Sequence, residues 1–281
     1  VDDGSLIVSY LQSQGVEQLE YVFCSHAHED HVGGLAGVLA VYEAGTVFSP
    51  VTEYDSAAFQ NFVSYTQAQG LALTVPQAGD SFSLGEAQVT ILGPLAEYEE
   101  TNNTSLVLRV DFDETAFLFT GDMERTAEAD LLEYSAGELW ATVLKVGHHG
   151  SSTSSSYPFL REVLPSYAVI SCGIGNSYGH PHEEVLSRLS DAGTTVYRTD
   201  LLGTVVAVSD GKEVSFTTEK NSSPTAGRGE SAEAVYIGNR NSSVFHLERC
   251  PNLPKEENRV YFPARQDALD AGYTPCGNCC P

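Results

Sequence analysis

The chain has 281 residues, 42% of them hydrophobic, and a formal net charge of −24. Its size accommodates one domain of about 200–250 residues together with a small module. No run of about 18 apolar residues predicts a membrane-spanning helix, and the acidic balance counts against tight binding to the phosphate backbone of nucleic acids. The charge is uneven, because residues 1–222 carry −23 and residues 223–281 carry −1.

The N-terminal residues, VDDGSLIVSY, lack the basic segment that opens a signal peptide. Met123 is the only methionine. We therefore expect the chain to be a fragment or a processed form of a longer protein. The acidic composition favours a secreted protein, which predicts an extracellular or cell-surface location.

The first half of the chain alternates apolar strands with amphipathic helices. Residues 19–26, LEYVFCSH, are predicted to form a buried strand that runs directly into a histidine cluster. A helix ended by glycine is predicted over 33–45, then the short strand TVFSP and a second helix over 56–70. From Ala72 to Phe119 the pattern changes to short strands, in the stretches LALTVP, SFSLGEAQVTILGP, TSLVLRVDF and TAFLFTGD.

The second half repeats this mixture. Helices are predicted over 124–137, 157–165 and 180–193, and strands are predicted in LWATVLKVGHHG, YAVISCG, TTVYRTD and GTVVAVSDG. Two halves that each mix strands with helices predict an α/β sandwich with helices outside paired sheets. Residues 219–232, EKNSSPTAGRGESA, lack apolar periodicity and are predicted to form a linker. This linker would separate a domain over 1–218 from a module over 233–281.

The stretch CSHAHEDHVGGL, residues 24–35, concentrates three histidines and two carboxylates within six positions. His26 and His28 lie two residues apart at the end of the predicted strand, so both imidazoles can bind one ion. Asp30 and His31 follow one loop turn later and can bind a second ion. Imidazole with carboxylate is the ligand set of Zn²⁺, and in some pockets of Mn²⁺ or Fe²⁺.

This HxHxDH spacing after a buried strand resembles the signature of the metallo-β-lactamase-fold hydrolases, whose αββα sandwich is therefore the expected fold. LFTGD, residues 118–122, resembles the family segment that supplies a bridging aspartate, here Asp122. LKVGHHGSSTS, residues 144–154, resembles the later histidine segment. The resemblance assigns His148 as the ligand and leaves His149 facing the substrate.

Further motifs of the sequence resemble one branch of that family. NNTSLVLR, TGD, KVGHHGS and YGHPHEEVL together resemble the metallo-β-lactamase domain of the ComEC/Rec2 DNA-uptake proteins, over about residues 4–216. Two departures stand out. Asn102 or Asn103 occupies the place of a further histidine found in many metallo-β-lactamase-fold proteins, which predicts that the first ion has an open or water-filled position or is held more weakly. The two additional N-terminal strands are missing, so the first sheet is expected to lack a piece.

The resemblance implies hydrolysis assisted by two divalent ions, zinc or manganese. A phosphodiester, with DNA as one candidate, would be the substrate, and the enzyme would be a phosphodiesterase or nuclease related to competence proteins. Asp30 would bind a metal and orient the nucleophile. His180 would donate a proton to the leaving oxygen or hydrogen-bond a phosphate oxygen, unless it is only a helix N-terminal residue.

Two other functions remain open from the sequence. The strongly acidic domain favours a hydrolase of a lactam, lactone, thioester or small cell-surface phosphodiester. The missing strands alone favour a metal-binding or adhesion module without enzymatic activity.

The C-terminal residues carry a second ligand pattern, His246-x3-Cys250 followed by Cys276-x2-Cys279. Paired ligands at both ends of a short module predict a structural zinc ion, with Cys280 spare. Disulfide bonding is the alternative. Cys24 and Cys172 are predicted to be ordinary buried thiols.

The stretch from about residue 236 to 281 resembles the metal-binding module of Ada-type DNA repair proteins. His246 replaces the cysteine that accepts methyl groups in those proteins, so methyl transfer is not expected. The resemblance implies a weak nucleic-acid-binding or wall-binding role.

Overall fold

The computed structural model describes residues 3–135, 139–220, 224–226, 236–247, 250, 252–262 and 265–276. Its helices in these ranges are α1 (Asp3–Ser13), α2 (Glu29–Val32), α3 (Leu35–Leu39), α4 (Ala57–Ala68), α5 (Arg125–Ser135), α6 (Tyr157–Val163), α7 (Glu183–Asp191), α8 (Thr199–Leu202) and α9 (Arg265–Asp270). Three short 3₁₀ helices cover Thr101–Thr104, Gly147–Gly150 and Glu256–Asn258. None of these helices combines the length and the apolar character needed to cross a bilayer.

The strands in the same ranges are β1 (Leu19–Phe23), β2 (Ala44–Phe48), β3 (Leu73–Thr74), β4 (Ser81–Leu84), β5 (Ala87–Gly93), β6 (Val107–Phe112), β7 (Thr115–Phe119), β8 (Val143–Lys145), β9 (Tyr167–Ile170), β10 (Thr195–Arg198), β11 (Val205–Ser209), β12 (Val214–Thr218), β13 (Thr225–Ala226), β14 (Tyr236–Asn239), β15 (Val244–Leu247), β16 (Arg259–Phe262) and β17 (Thr274–Pro275).

The first sheet contains three parallel strands in the order β1-β2-β3. Helices α3 and α4 cover one of its faces, where Phe59 and Phe62 of α4 pack with Val22 and Val47 of the strands. Among the described residues no strand pairs with the free edge of β1. This open edge agrees with the expectation that the sheet lacks a piece.

The second sheet has eight strands in the order β13-β10-β9-β8-β7-β6-β5-β4. Strands β4 to β7 form an antiparallel meander, whereas β7, β8, β9 and β10 run parallel. Helices α5, α6 and α7 cover its outer face, and the core there includes Leu131, Leu144, Phe159, Ile170 and Val185. Apolar side chains buried on this scale can offset the conformational entropy of an ordered domain.

Aromatic side chains join the two sheets on their inner faces. Phe48 of the first sheet stacks on Phe82 of the second, with ring centroids 5.2 Å apart. The Tyr21 hydroxyl donates a hydrogen bond to the Ser83 carbonyl at 3.2 Å. Helices outside two facing sheets are the predicted αββα sandwich, so the predicted fold class is confirmed.

The C-terminal module is a four-stranded sheet, in the order β16-β14-β15-β17, with α9 beside it. Its described core is small and consists of Tyr236, Phe245, Phe262 and Ala268. A hydrogen bond joins the Ser187 and Tyr236 hydroxyls, so the module contacts α7. The proposed boundaries at 218 and 233 stay predictions.

Two local differences from the sequence expectations have physical causes. The predicted helix over 33–45 ends earlier, and Gly45 belongs to β2 instead of closing the helix. A Cβ at Gly45 would lie 2.6 Å from the Glu20 carbonyl oxygen, so β2 can approach β1 only with glycine there. Within the predicted linker, β13 pairs with β10, which the sequence did not predict. The other linker residues from 221 to 232 lie outside the described residues, except 224.

Candidate metal centre

The side chains predicted to bind metal converge at the ends of strands from both sheets. His26 and His28 follow β1, while Asp30 and His31 belong to α2 directly after them. Asp122 follows β7. The pair His148 and His149 follows β8, which is parallel to β7, so their carboxyl ends meet at one edge. Chain segments far apart in sequence thereby form one polar pocket.

Four of these residues form the tightest group, since the ligand atoms of Asp30, His31, Asp122 and His149 all lie within 4.8 Å of one another. His31 Nε2 is 3.2 Å from Asp122 Oδ1 and 3.1 Å from His149 Nε2. His149 Nε2 is 3.3 Å from Asp30 Oδ2 and 3.5 Å from Asp122 Oδ2. The structure therefore places His149 in this group, where the sequence had assigned His148.

The first two histidines form a neighbouring pair. His26 Nε2 lies 3.1 Å from His28 Nδ1 and 4.0 Å from Asp122 Oδ2. The His26 side chain is fully buried. The Ser25 hydroxyl contacts Nδ1 of both His26 (3.3 Å) and His31 (3.1 Å), and thus orients two rings.

His148 approaches the same aspartate from another direction, with its Nε2 3.9 Å from Asp122 Oδ2. Its Nδ1 lies 3.1 Å from Glu124 Oε1 and 3.2 Å from the Thr153 hydroxyl. His149 has a comparable arrangement, because its Nδ1 lies 2.8 Å from the Ser171 carbonyl oxygen. A histidine that ligates a metal through Nε2 commonly has its Nδ1–H fixed by a carboxylate or a carbonyl in this way.

The backbone explains how adjacent histidines reach Asp122 from two sides. Both adopt left-handed conformations, with φ/ψ of 48°/46° at His148 and 53°/21° at His149. Such angles are uncommon for residues other than glycine and cost on the order of 1–3 kcal/mol each. Gly150 follows with φ 85°, and a Cβ there would lie 2.6 Å from the Pro181 side chain. The turn therefore stores strain at the site.

The electrostatics of the pocket favour charged carboxylates beside a neutral imidazole. A hydrogen bond from His149 lowers the pKa of Asp30 to about 2 and raises the pKa of His149. Burial alone would raise the pKa of Asp122, but its contacts with His31 and the charges of neighbouring histidines hold it well below its usual range. Burial lowers the pKa of His26 to about 3, which keeps its ring neutral and able to bind a cation.

Asn102 and Asn103, one of which is predicted to occupy the place of the additional family histidine, both contact Glu124. Asn102 Nδ2 donates to Glu124 Oε1 at 3.2 Å, and the Glu124 backbone N–H donates to Asn103 Oδ1 at 3.0 Å. Thr153 also donates its hydroxyl to Glu124 Oε1 at 2.9 Å. The carboxylate that these groups hold faces His148, so the asparagines act on the pocket through Glu124.

The donor set fits divalent metal ions. Asp122 Oδ1 is buried and accepts no hydrogen bond within the described part of the chain, although His31 Nε2 is 3.2 Å away. A buried carboxylate oxygen without a donor is costly unless a cation neutralises it. Neutral imidazole and carboxylate are the ligands of Zn²⁺, Mn²⁺ and Fe²⁺. The residues of this pocket can therefore bind the divalent metal ions that the HxHxDH pattern implies.

Two buried side chains, Arg188 and Glu128, hold the loop that follows His149. Arg188 is 2% exposed and donates to the carbonyls of Ser152, Ser154 and Ser155 at 3.2, 2.7 and 3.0 Å. From the other side, Glu128 accepts hydrogen bonds from the backbone N–H groups of Ser155 and Ser156. This loop carries Thr153, so its fixed shape also positions His148.

His180 lies beside the pocket. Its ring centroid is 5.4 Å from that of His148 and 6.4 Å from that of His149. Burial, followed by the charges of the neighbouring histidines, lowers the pKa of His180 to about 4. His182, the N-cap of α7, accepts a hydrogen bond from the Ser152 N–H at 2.9 Å. These contacts place the 180–182 segment over the strained turn.

The module contains the second candidate site. The ligand atoms of His246, Cys250 and Cys276 lie within 4.8 Å of one another, and all three residues are buried. His246 Nδ1 is 3.3 Å from Cys250 Sγ. Cys279 and Cys280 lie outside the described residues, so Cys279 stays a predicted fourth ligand. Cys24 and Cys172 are free, and burial raises their thiol pKa values to about 12 and about 11.

Sequence reasoning missed the residues that hold the ligands in place, namely Ser25, Glu124, Thr153, Glu128 and Arg188. One of them left a visible signal, since Glu124 follows Asp122 by two residues in TGDME and gives a second carboxylate at the strand end. Ser25 and Thr153 lie close in sequence to the histidines that they contact, but serine and threonine in a polar loop give no specific signal. Glu128 and Arg188 act through contacts between distant segments, which no spacing in the sequence indicates.

Comparison with known proteins gives matches to two families. The profile of the metallo-beta-lactamase superfamily matches residues 3–174, and that of the metal binding domain of Ada matches residues 226–281. Among solved structures, CmlA, a diiron beta-hydroxylase from Streptomyces venezuelae, aligns with a TM-score of 0.45 and 16% identity. That alignment covers 65% of this chain and 44% of CmlA.

The chain also matches curated proteins. The chain is 30% identical over 201 residues to ComE operon protein 3 of Bacillus subtilis, and 34% identical over 197 residues to competence protein ComA of Neisseria gonorrhoeae. These alignments cover 71% and 70% of this chain but only 26% of each relative, so the chain spans about a quarter of their length. A profile match over more than half of the chain, together with the αββα sandwich and the converging HxHxDH residues, shows that this protein belongs to the metallo-beta-lactamase superfamily.

Proposed function

We propose that the hydrolase domain is a two-metal phosphodiesterase or nuclease. The observation that carries this proposal is the position of Asp122, whose carboxylate faces two sets of ligands. Asp30, His31 and His149 form one set with it. His26 Nε2 and His148 Nε2 approach its Oδ2 at 4.0 and 3.9 Å, and we assign these two histidines, with His28 beside His26, to the second set. His148 then takes the place of the further family histidine, which is Asn102 or Asn103 in this chain.

Two divalent ions bound in this pocket would supply a water of lowered pKa and neutralise charge that develops on a phosphoryl group. The side chains around it have separate tasks. Asp30 is a ligand whose other oxygen can accept a hydrogen bond from the attacking water and orient it. His180 faces the pocket beside both tandem histidines, and we assign it hydrogen bonding to a phosphate or leaving-group oxygen.

Two features support a nucleic-acid-related substrate. One of the curated relatives is named as a competence protein, and the Ada-like module resembles a domain of DNA repair proteins. The net charge of −24 opposes tight backbone binding, which favours short or flexible substrates over long duplexes. An extracellular or cell-surface location, where such acidic chains stay soluble, belongs to the same proposal.

The same charge supports a second candidate, which is a hydrolase of a lactam, lactone, thioester or small cell-surface phosphodiester. The pocket chemistry is compatible with these bonds, because a metal-activated water can attack carbon as well as phosphorus. Comparing the cleavage of a single-stranded oligonucleotide with nitrocefin turnover separates the two. The first candidate predicts cleavage of the oligonucleotide alone.

The primary test is hydrolysis of bis-p-nitrophenyl phosphate by the full chain with added Mn²⁺ or Zn²⁺. Asp30→Ala removes a ligand and the group that orients the nucleophile, so we expect less than about a tenth of the wild-type rate. Asp55→Ala, at an exposed aspartate before α4, is the matched control and should keep full activity. Equal rates in the two variants would reject the role of Asp30, and an inactive wild-type protein would reject the proposed function.

A further inference from the structure

A short loop beside the metal centre presents large apolar side chains to solvent. This loop, GIGNSYGHPH over residues 173–182, joins β9 to α7. Tyr178 is 76% exposed and Ile174 is 77% exposed. Single exposed hydrophobic residues are common on protein surfaces. The features that set Tyr178 apart are its ring contacts and the rigidity of its backbone.

Near-parallel rings lead from the metal centre to Tyr178. The His149 and His180 rings lie 6.4 Å apart with an interplanar angle of 20°. The His180 and Tyr178 rings lie 5.6 Å apart with an angle of 23°. The His180 ring thus stacks with His149, a candidate metal ligand, and also with the exposed phenol ring of Tyr178. A flat ligand that reaches His180 from the pocket is adjacent to the Tyr178 ring.

Side-chain hydrogen bonds hold this loop in one shape. Asn176 donates to the carbonyls of Gly173 at 3.0 Å and His180 at 2.6 Å, and accepts from the His180 N–H at 2.9 Å. His182 Nδ1 accepts from the Ser152 N–H, so its Nε2 carries the proton and donates to the Tyr178 carbonyl at 3.2 Å. The loop is therefore fixed both within itself and to the loop that Arg188 holds. An aromatic ring on a fixed loop binds a partner at low entropic cost.

The net charge of the protein limits the classes of ligand that the Tyr178 ring can bind. With a net charge of −24, contacts to many phosphates cannot provide the affinity for a nucleic acid. Stacking of a base on an aromatic side chain does not depend on positive charge, and it requires an unpaired base with a free face. The bases of a duplex are already paired and stacked, so a duplex does not offer an unpaired base with a free face.

We propose that Tyr178 is the stacking platform for an unpaired nucleobase next to the phosphodiester held at the metal centre, and therefore selects single-stranded substrates. This inference rests on the proposed phosphodiesterase function and adds its substrate class. His180 separates the platform from the ligands, so the stacked base belongs to a nucleotide adjacent to the scissile bond.

The test measures binding and cleavage separately, on the full chain loaded with Mn²⁺. The probes are a fluorescent single-stranded oligothymidylate and an oligonucleotide of the same length with abasic sites in place of the bases. Wild-type protein should bind the oligothymidylate more tightly. Tyr178→Ala should weaken that binding by about 5- to 100-fold, the range for loss of one stacked base, and leave binding of the abasic strand unchanged.

Tyr178→Trp should keep the preference, because it retains an aromatic face. Tyr65→Ala, at an exposed tyrosine of α4, is the matched control and should behave as wild type. Equal affinity of the wild-type protein for both probes, or equal weakening of both by Tyr178→Ala, would overturn the inference. If the protein binds bases through Tyr178 but does not cleave the strand, the proposed hydrolysis is rejected and the stacking role of Tyr178 stands. Failure of the proposed function and failure of this inference are therefore distinguishable.

Discussion

The chain contains two candidate metal sites that differ in what surrounds them. The hydrolase centre lies at the edge of an eight-stranded sheet with an extensive apolar core. The site of the module lies in a four-stranded sheet whose described core is Tyr236, Phe245, Phe262 and Ala268. In the first site the fold positions the ligands before any metal arrives. In the second, we expect the metal to contribute to folding.

The two sites differ in the same way in the hydrogen bonds that orient their candidate ligands. Ser25, Glu124, Thr153 and the Ser171 carbonyl orient histidines of the hydrolase centre, and Arg188 fixes the adjacent loop. Within the described part of the module, Cys250 Sγ accepts a hydrogen bond from the Asn252 N–H at 3.4 Å, and the Cys276 N–H donates to the Phe245 carbonyl. The hydrolase centre is thus preorganised for chemistry, whereas the module has the ligand types of a structural zinc site.

Removal of metal should separate the two sites most clearly. With a strong chelator, we expect backbone amides of β14–β17 to lose protection from hydrogen exchange, because zinc coordination contributes on the order of 10 kcal/mol to the folding of such modules. Amides of β8 and β9 should keep their protection, while phosphodiester hydrolysis is lost. The measurement is hydrogen exchange by mass spectrometry with and without chelator.

A cysteine variant sharpens this first comparison. Cys276→Ser should reproduce the loss of protection in the module with metal present, whereas His149→Ala should leave every strand protected. Module strands that stay protected after chelation would show that the small core, or a disulfide among its cysteines, suffices.

The buried pair under the hydrolase loop should matter without any metal. Arg188→Met leaves the Ser154 and Ser155 carbonyls without their donor and removes the positive charge near the Glu128 carboxyl, so we expect a loss of about 3–5 kcal/mol in the free energy of unfolding. Urea unfolding of the chelated protein measures it. Arg161→Met, at an exposed arginine of α6, is the matched control. Similar losses in both variants would mean that the loop is not preorganised by Arg188.

A smaller effect, on metal affinity, is expected when the contact between Glu124 and His148 Nδ1 is weakened. Glu124→Gln keeps the size of the side chain but removes the charge next to His148 Nδ1, so metal affinity should fall by about 10- to 100-fold, as found for other carboxylate–histidine–metal arrangements. Competition with a fluorescent chelator measures this affinity. Glu133→Gln, on the exposed face of α5, serves as the reference. Unchanged affinity in Glu124→Gln would remove His148 from the ligand set.

Acid should destabilise the metal-free hydrolase domain through His26. Its pKa in the folded state is lowered to about 3, whereas an unfolded histidine has a pKa of about 6.5. The unfolded state therefore binds an extra proton as the pH falls below about 6.5, and stability falls by at most about 1.4 kcal/mol per pH unit. His26→Gln should show a shallower slope between pH 7 and pH 5 in chelator. Identical slopes would contradict the burial of a neutral His26.

Residues close in sequence made most of the fold and half of the site predictable. The strand before His26, the HxHxDH spacing and the strand end at Asp122 depend on local patterns, and the structure brings these residues together. The distinct positions of His148 and His149 could not be predicted, because they depend on two consecutive left-handed residues. The contacts of Glu128 and Arg188 join segments that are remote in sequence, so no local pattern indicates them.

The most direct test of the central claim is the number of divalent ions bound per chain, measured by native mass spectrometry on the full protein and its variants. We expect three in the wild-type protein, two at Asp122 and one in the module. His148→Ala and His149→Ala should each lose one ion from the hydrolase centre, and Cys276→Ser should lose only the ion of the module. A wild-type chain with a single ion at Asp122, or a His148→Ala variant that keeps all three, would contradict a two-metal centre shared between the tandem histidines.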